Sequence, residues 1–166
     1  GTGAPGRIAD VASVGDRVVE IGAIEGQGVR SIDAEGLYVA PGFIDMHSHS
    51  EVPRLQNGGH GPSFAYQGLT TEIYGETVSM GPVGGLRENN LPEELLGKWV
   101  TFGEYLDYQE TTGSAINFGS YVGSGGIREV VMGYEDRDPT DNELEAMKKL
   151  VRDAMREGAL GISAGM

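Results

Sequence analysis

The rhythm of apolar and polar positions changes once along this chain. Up to residue 38 it gives short β-like runs cut by Gly and Asp, "IADVASV", "RVVEIG" and "VRSIDAEGLYV", with Gly15-Asp16 as a hairpin turn between the first two. From Val39 onward, strand-like apolar runs alternate with Gly-rich loops and amphipathic helices: "LYVAPGFIDMH", "GLTTEIYGE", "AINFGSYVGSGG" and "ALGISAGM". That alternation predicts an α/β protein with βα units around a parallel sheet. The expected division is a small β-rich unit over 1–38 and the α/β part over 39–166.

The clearest helix is "PTDNELEAMKKLVRDAMREG". Thr140 and Glu143 form a capping-box pattern, and Leu144, Met147, Leu150, Val151, Ala154 and Met155 recur at helical spacing up to the stop at Gly158. The stripe is expected to pack in the core. A second helical stretch covers Pro92 to Glu110, with Leu95, Leu96, Trp99, Phe102, Tyr105 and Leu106 on one side and Gly97 and Gly103 as points where it can split.

Composition narrows the function classes. Twelve basic against 25 acidic side chains give a formal net charge of -13, which repels nucleic acid and anionic lipid alike. No nucleic-acid or membrane partner is expected, and no apolar run approaches the roughly 18 to 20 residues of a membrane span. The absence of cysteine excludes disulfides, thiolate ligands and a Cys nucleophile, so any metal must take His and carboxylate donors. The 28 glycines follow no period and imply many tight turns and close backbone approaches.

Two of the three histidines stand one residue apart in "GFIDMHSHS". On a strand, His47 and His49 would project from one face, where neutral imidazoles can both reach a divalent cation; the plain alternative is two histidines flanking a loop. The "PGFID" run reads as a buried strand, and βα architectures carry reactive groups at the carboxyl ends of their strands. Glu76, in the Gly-rich turn after "TTEIYG", would lie at the same end and add a hard oxygen ligand, or else be a solvated loop acid. Asp45 can orient a ligating imidazole or serve as an ordinary buried hydrogen-bond partner. Glu72 lies within its strand as a packing or supporting group. The loop "VGSGGIR" offers backbone N–H groups to an anion without the ending of a P-loop, and His60 reads as a loop histidine.

These blocks carry a resemblance. "YVAPGFIDMHSHS" resembles the opening strand of the amidohydrolase superfamily. "YQGLTTEIYGE" and "VGSGGIREVVMGYEDRDPTDNELEAMKKLVRDAMREGALGISAGM" resemble its D-aminoacylase branch, the N-acyl-D-amino-acid deacylases, and "GTGAPGRIADVASVGDRVVEIG" looks like the β-rich flanking domain of that family. The resemblance implies about the first four βα units of a (β/α)8 TIM-type barrel, preceded by part of a small β-sandwich domain. It implies zinc, as one or two divalent ions, and hydrolysis of the amide of a small-molecule N-acyl-D-amino acid by a metal-activated water. His47 and His49 become ligands of the first-strand metal. Some relatives hold zinc with a cysteine just after the second strand, near Thr77 here, so Glu76 would replace that thiolate; Ser124 stands where relatives often read a histidine. Two further histidines and the general-base aspartate are expected beyond residue 166, so the chain reads as a fragment, inactive by itself. Other readings are a dihydroorotase-like or dipeptidase-like hydrolase, or a non-catalytic half-barrel binding module. The location is left open with the cytoplasm slightly favoured, and the oligomeric state is left open as well.

Overall fold

The computed structural model describes residues 3–59, 62–85 and 90–165, and the chain divides into two units, Gly1–Pro41 and Gly42–Met166. In the first unit, β1 (Asp10–Val14) and β2 (Arg17–Gly22) pair antiparallel. Gly15 takes φ +61°, the left-handed conformation a two-residue hairpin turn demands. The register shifts between Ala12 and Ser13, and Val11, Val14, Val18, Val19 and Ile21 are exposed. The strand expected over 29–39 does not form among the described residues. Its apolar side chains Val29, Ile32, Leu37 and Tyr38 are exposed, and its backbone makes a local turn instead, with Leu37 N–H on the Ala34 carbonyl (3.0 Å). Without a neighbouring strand to complete its hydrogen bonds, an apolar run stays irregular.

The second unit carries parallel strands. β3 (Phe43–Asp45), β4 (Leu69–Tyr74) and β5 (Asn117–Ser120) form one sheet in that order. β6 (Val122–Gly123) pairs in parallel with β7 (Ile162–Ser163). One residue, Tyr121, separates β5 from β6; its N–H donates to the Tyr74 carbonyl (2.9 Å), while Val122 N–H donates to the Gly161 carbonyl (2.9 Å). The sheet therefore runs on from β4 through the β5–β6 line to β7. Between the strands lie α1 (Glu51–Gln56), α2 (Pro62–Tyr66), α3 (Phe102–Thr112), α4 (Ser124–Met132) and α5 (Asp141–Arg156).

The second helical stretch is split: a 3-10 turn at Glu93–Leu95, then α3, with Gly97 at φ +67° between them. Thr101 and Glu104 cap α3 reciprocally, as Thr140 and Glu143 cap α5. Trp99, Leu95, Tyr105, Met80 and Leu55 form one core cluster, in which the indole N–H of Trp99 donates to the Met80 carbonyl (2.8 Å). Phe102, Val122, Ile127, Ala154 and Ala159 form a second, with Met147, Leu150 and Val151 against it. Leu144 and Met155, expected in the α5 stripe, are 39% and 46% exposed. At about 100° per residue both fall on one flank of the stripe rather than its centre. β3 also departs from the expected buried strand: Phe43 and Ile44 are 63% and 57% exposed, because β3 is the edge of its sheet.

Candidate metal centre

β3 and β4 end side by side, with Asp45 in register with Glu72. β3 stops two residues before His47, which lies in a bend rather than on the strand. Asp45 makes that bend: its Oδ1 accepts the backbone N–H of His47 (3.1 Å), and Ser48 N–H then donates to the Ile73 carbonyl (3.1 Å). The Asp45 carboxylate thus holds the backbone that carries the imidazole.

Glu76 reaches the same end through a tight turn. Gly75 has φ +83°, and a Cβ there would meet the Tyr121 carbonyl oxygen at 2.1 Å. Thr77 follows at φ +62°, with Val78 N–H donating to the Glu76 carbonyl at 2.6 Å. This is a γ-turn centred on a β-branched residue in the left-handed region, a strained arrangement that its surroundings must hold. They do: Thr77 N–H donates to Ser163 Oγ (3.0 Å), the Ser163 hydroxyl donates to the Gly75 carbonyl (2.6 Å), and Gly125 N–H donates to the Thr77 carbonyl (2.8 Å). A Cβ on Gly123 would fall 2.4 Å from the Thr77 carbonyl oxygen, and one on Gly165 would fall 2.0 Å from Thr77 Oγ1. The "VGSGGIR" segment is accordingly not an anion loop. It opens α4, and the N–H groups of Gly123 and Gly125 are occupied by Ser79 Oγ and the Thr77 carbonyl.

His47, His49 and Glu76 come together as a result. Their donor atoms all lie within 4.8 Å of one another. His47 Nε2 is 3.0 Å from His49 Nε2 and 2.8 Å from Glu76 Oε2, and His49 Nε2 is 3.6 Å from Glu76 Oε2. Tetrahedral bonds of about 2.0 to 2.1 Å place ligand atoms about 3.3 Å apart, so two imidazoles and a carboxylate at this spacing suit one zinc-sized cation. The three side chains are 60%, 62% and 43% exposed, leaving the outer side open to solvent. Ser124 begins α4 and is not one of this group. His60 lies outside the described residues.

Beneath the histidines is a buried polar network that the sequence reading did not assemble. Ser48 and Ser50, which alternate with the histidines, both donate to Glu72 Oε1 (2.9 and 3.0 Å). Tyr74 donates to Glu72 Oε2 (2.9 Å), and Arg54 Nη1 lies 3.1 Å from that oxygen while donating to the Tyr74 hydroxyl (2.8 Å) and Ser114 Oγ (3.1 Å). The Glu72 and Arg54 side chains are 0% and 2% exposed. Burial pushes the Glu51 carboxyl upward, opposed by hydrogen bonds from its own backbone and that of Gly75, and burial likewise raises Tyr74. A glutamate in the middle of the apolar run "LTTEIY" was the available signal, since a buried carboxylate needs donors and a cation.

Residues 30–166 match the Amidohydrolase family. The chain is 36% identical to a D-aminoacylase and 37% identical to an N-acyl-D-aspartate deacylase, both from Alcaligenes xylosoxydans xylosoxydans; each alignment covers 99% of the chain and 35% or 34% of the relative. It superposes on the crystal structure of N-acyl-D-glutamate deacylase from Bordetella bronchiseptica, complexed with zinc and a phosphonate inhibitor that mimics the tetrahedral intermediate, with a TM-score of 0.82 and 31% identity over 99% of the chain and 35% of that protein. The chain therefore spans about a third of the length of these relatives. Its parallel strands, its matched residues and its resemblance to zinc-complexed and deacylating relatives establish that the chain belongs to the amidohydrolase family.

Proposed function

We propose that the protein carrying this chain is a zinc-dependent hydrolase of N-acyl-D-amino acids. The observation that carries this reading is the convergence of His47, His49 and Glu76 at the carboxyl ends of β3 and β4, in a chain aligned along nearly its whole length with a zinc-complexed deacylase. In this reading β3, β4, the β5–β6 line and β7 are the first four strands of a (β/α)8 barrel over 39–166, and residues 1–38 are part of a flanking β-sandwich.

His47, His49 and Glu76 would hold zinc, as one ion or as part of a pair. When bound, such a cation polarises an amide carbonyl and makes water acidic enough to attack at neutral pH. Asp45 fixes the backbone of His47, and the Thr77 turn aims Glu76 at the two imidazoles. The open outer side leaves access for a small-molecule substrate. The aspartate that moves the proton from water to the leaving amine is expected beyond residue 166.

The test is metal analysis and assay of the protein carrying this sequence, purified with and without chelator, against N-acetyl derivatives of D- and L-amino acids and against cyclic amides. Zinc-dependent release of D-amino acids, lost in His47→Ala and Glu76→Ala, is the expected result. Cleavage of cyclic amides or dipeptides alone would assign another amidohydrolase reaction, and absence of bound metal would overturn the reading.

A further inference from the structure

His47 and His49 have little packing to order them. Their side chains are 60% and 62% exposed, so their directions must come from the backbone beneath. On that lower side, Ser48 is 8% exposed and Ser50 half-buried, with hydroxyls 3.1 Å apart and both within 3.0 Å of Glu72 Oε1. One carboxylate oxygen thus grips both residues that alternate with the metal donors. The other oxygen is held by Tyr74 and Arg54.

Burying an ion pair is a poor route to stability, because removing two charges from water offsets most of their attraction. A fully buried Glu72 needs a different rationale, and the hydroxyls it binds supply one. We propose that Glu72 is a positioning residue for the metal centre: braced by Arg54 and Tyr74, it fixes Ser48 and Ser50 and thereby sets the convergence of His47 and His49. This inference rests on the metal-binding reading of those histidines. It gives β4 a share in placing both histidines, beside the hold of Asp45 on the His47 backbone, while the turn that follows β4 supplies Glu76.

The test compares zinc affinity, measured by competition with a chromophoric chelator, and the visible absorption of the cobalt-substituted form, in the protein carrying this sequence. Ser48→Ala/Ser50→Ala removes the grip, whereas Trp99→Phe removes a buried hydrogen bond to the Met80 carbonyl outside this network. The double variant should weaken zinc binding by about 10- to 100-fold and alter the cobalt spectrum, with Trp99→Phe staying within about threefold of the parent. Ser50→Thr, which keeps its hydroxyl, should restore parental affinity relative to Ser50→Ala. If the double variant does not fold, the half-buried Ser50→Ala alone must show a loss in the same direction. Equal losses in the serine and Trp99→Phe variants would reduce the network to general stability and overturn the proposal, as would no loss in either. His47→Ala separates the two readings: if it binds zinc normally, the metal site itself is wrong and the positioning role falls with it; if it abolishes binding while the serine variants bind normally, only the positioning role fails.

Discussion

Replacing Arg54 with Met should strongly destabilise this fold. The Arg54 side chain is 2% exposed, and its Nη1 serves Glu72, Tyr74 and Ser114 at 3.1, 2.8 and 3.1 Å. Met fills much of the same volume but leaves Glu72 buried with three hydroxyl donors and no counter-charge. Removing one partner of a buried pair costs about 3 to 5 kcal/mol, a large fraction of the roughly 5 to 15 kcal/mol that holds a domain together. With a urea slope of about 2 kcal/mol per M, the midpoint should fall by about 1.5 to 2.5 M. Glu72→Gln should cost a similar amount, because it strands the guanidinium. In the double variant neither charge remains, so the two losses should fall short of additivity by at least about 2 kcal/mol. Urea unfolding followed by circular dichroism gives all four corners of the cycle. Single losses under about 1 kcal/mol, or strict additivity, would refute the reasoning, since either means the pair is not coupled in a dry interior.

Gly75→Ala should destabilise by at least about 1 to 3 kcal/mol and weaken zinc binding, since φ is +83° and its Cβ would fall 2.1 Å from the Tyr121 carbonyl oxygen; urea unfolding and metal titration check both. Thr77→Gly should raise stability by about 1 kcal/mol by relieving a β-branched residue at φ +62°, and an unchanged or lower urea midpoint would show that the turn is not strained. Acid should destabilise the chain through carboxylates held below their usual range: Glu143 by Arg137 and Thr140, Asp153 by Lys149, Glu145 by Lys148, and Glu104 by the N–H groups of Thr101 and Val100. Because their folded values are depressed, their contribution is complete above the unfolded value of about 4 and is lost as pH falls below it. Melting temperatures should hold between about pH 5 and 7 and decline below about pH 4, less steeply in Glu143→Gln.

Much of the strand and helix order was legible because its signals are local. The α5 capping box at Thr140 and Glu143, the Gly15-Asp16 hairpin and the apolar run "LTTEIY" each lie within a few residues of the element they specify. The convergence of His47, His49 and Glu76 was legible too, since parallel strands bring their carboxyl ends together. What escaped depended on partners distant in sequence. "VRSIDAEGLYV" carries a strand-like pattern but has no neighbouring strand among the described residues, so pattern alone misled. Arg54 is an unremarkable position in "EVPRLQ" until Glu72, Tyr74 and Ser114 gather round it from β4 and beyond α3. The start of α4 offered glycine N–H groups that an anion could use, without the ending of a P-loop; its glycines are instead small to admit the Thr77 turn.

The Ser163 hydroxyl that ties down the turn has a consequence for the order of events during synthesis. It joins Thr77 across 86 residues and Gly75 across 88. At roughly 5 to 20 residues per second, a ribosome adds Ser163 about 4 to 17 s after Thr77. The histidine segment has its supports within 25 residues, in Asp45, Ile73 and Glu72, so it can take shape early on the nascent chain. The carboxylate arm must wait for the last strand of this sequence to dock, because loop closure over so many residues precedes any reward from the contact. Assembly of the His47, His49 and Glu76 cluster is thus expected to be vectorial, the histidine segment taking shape seconds before the turn that carries Glu76 is tied down.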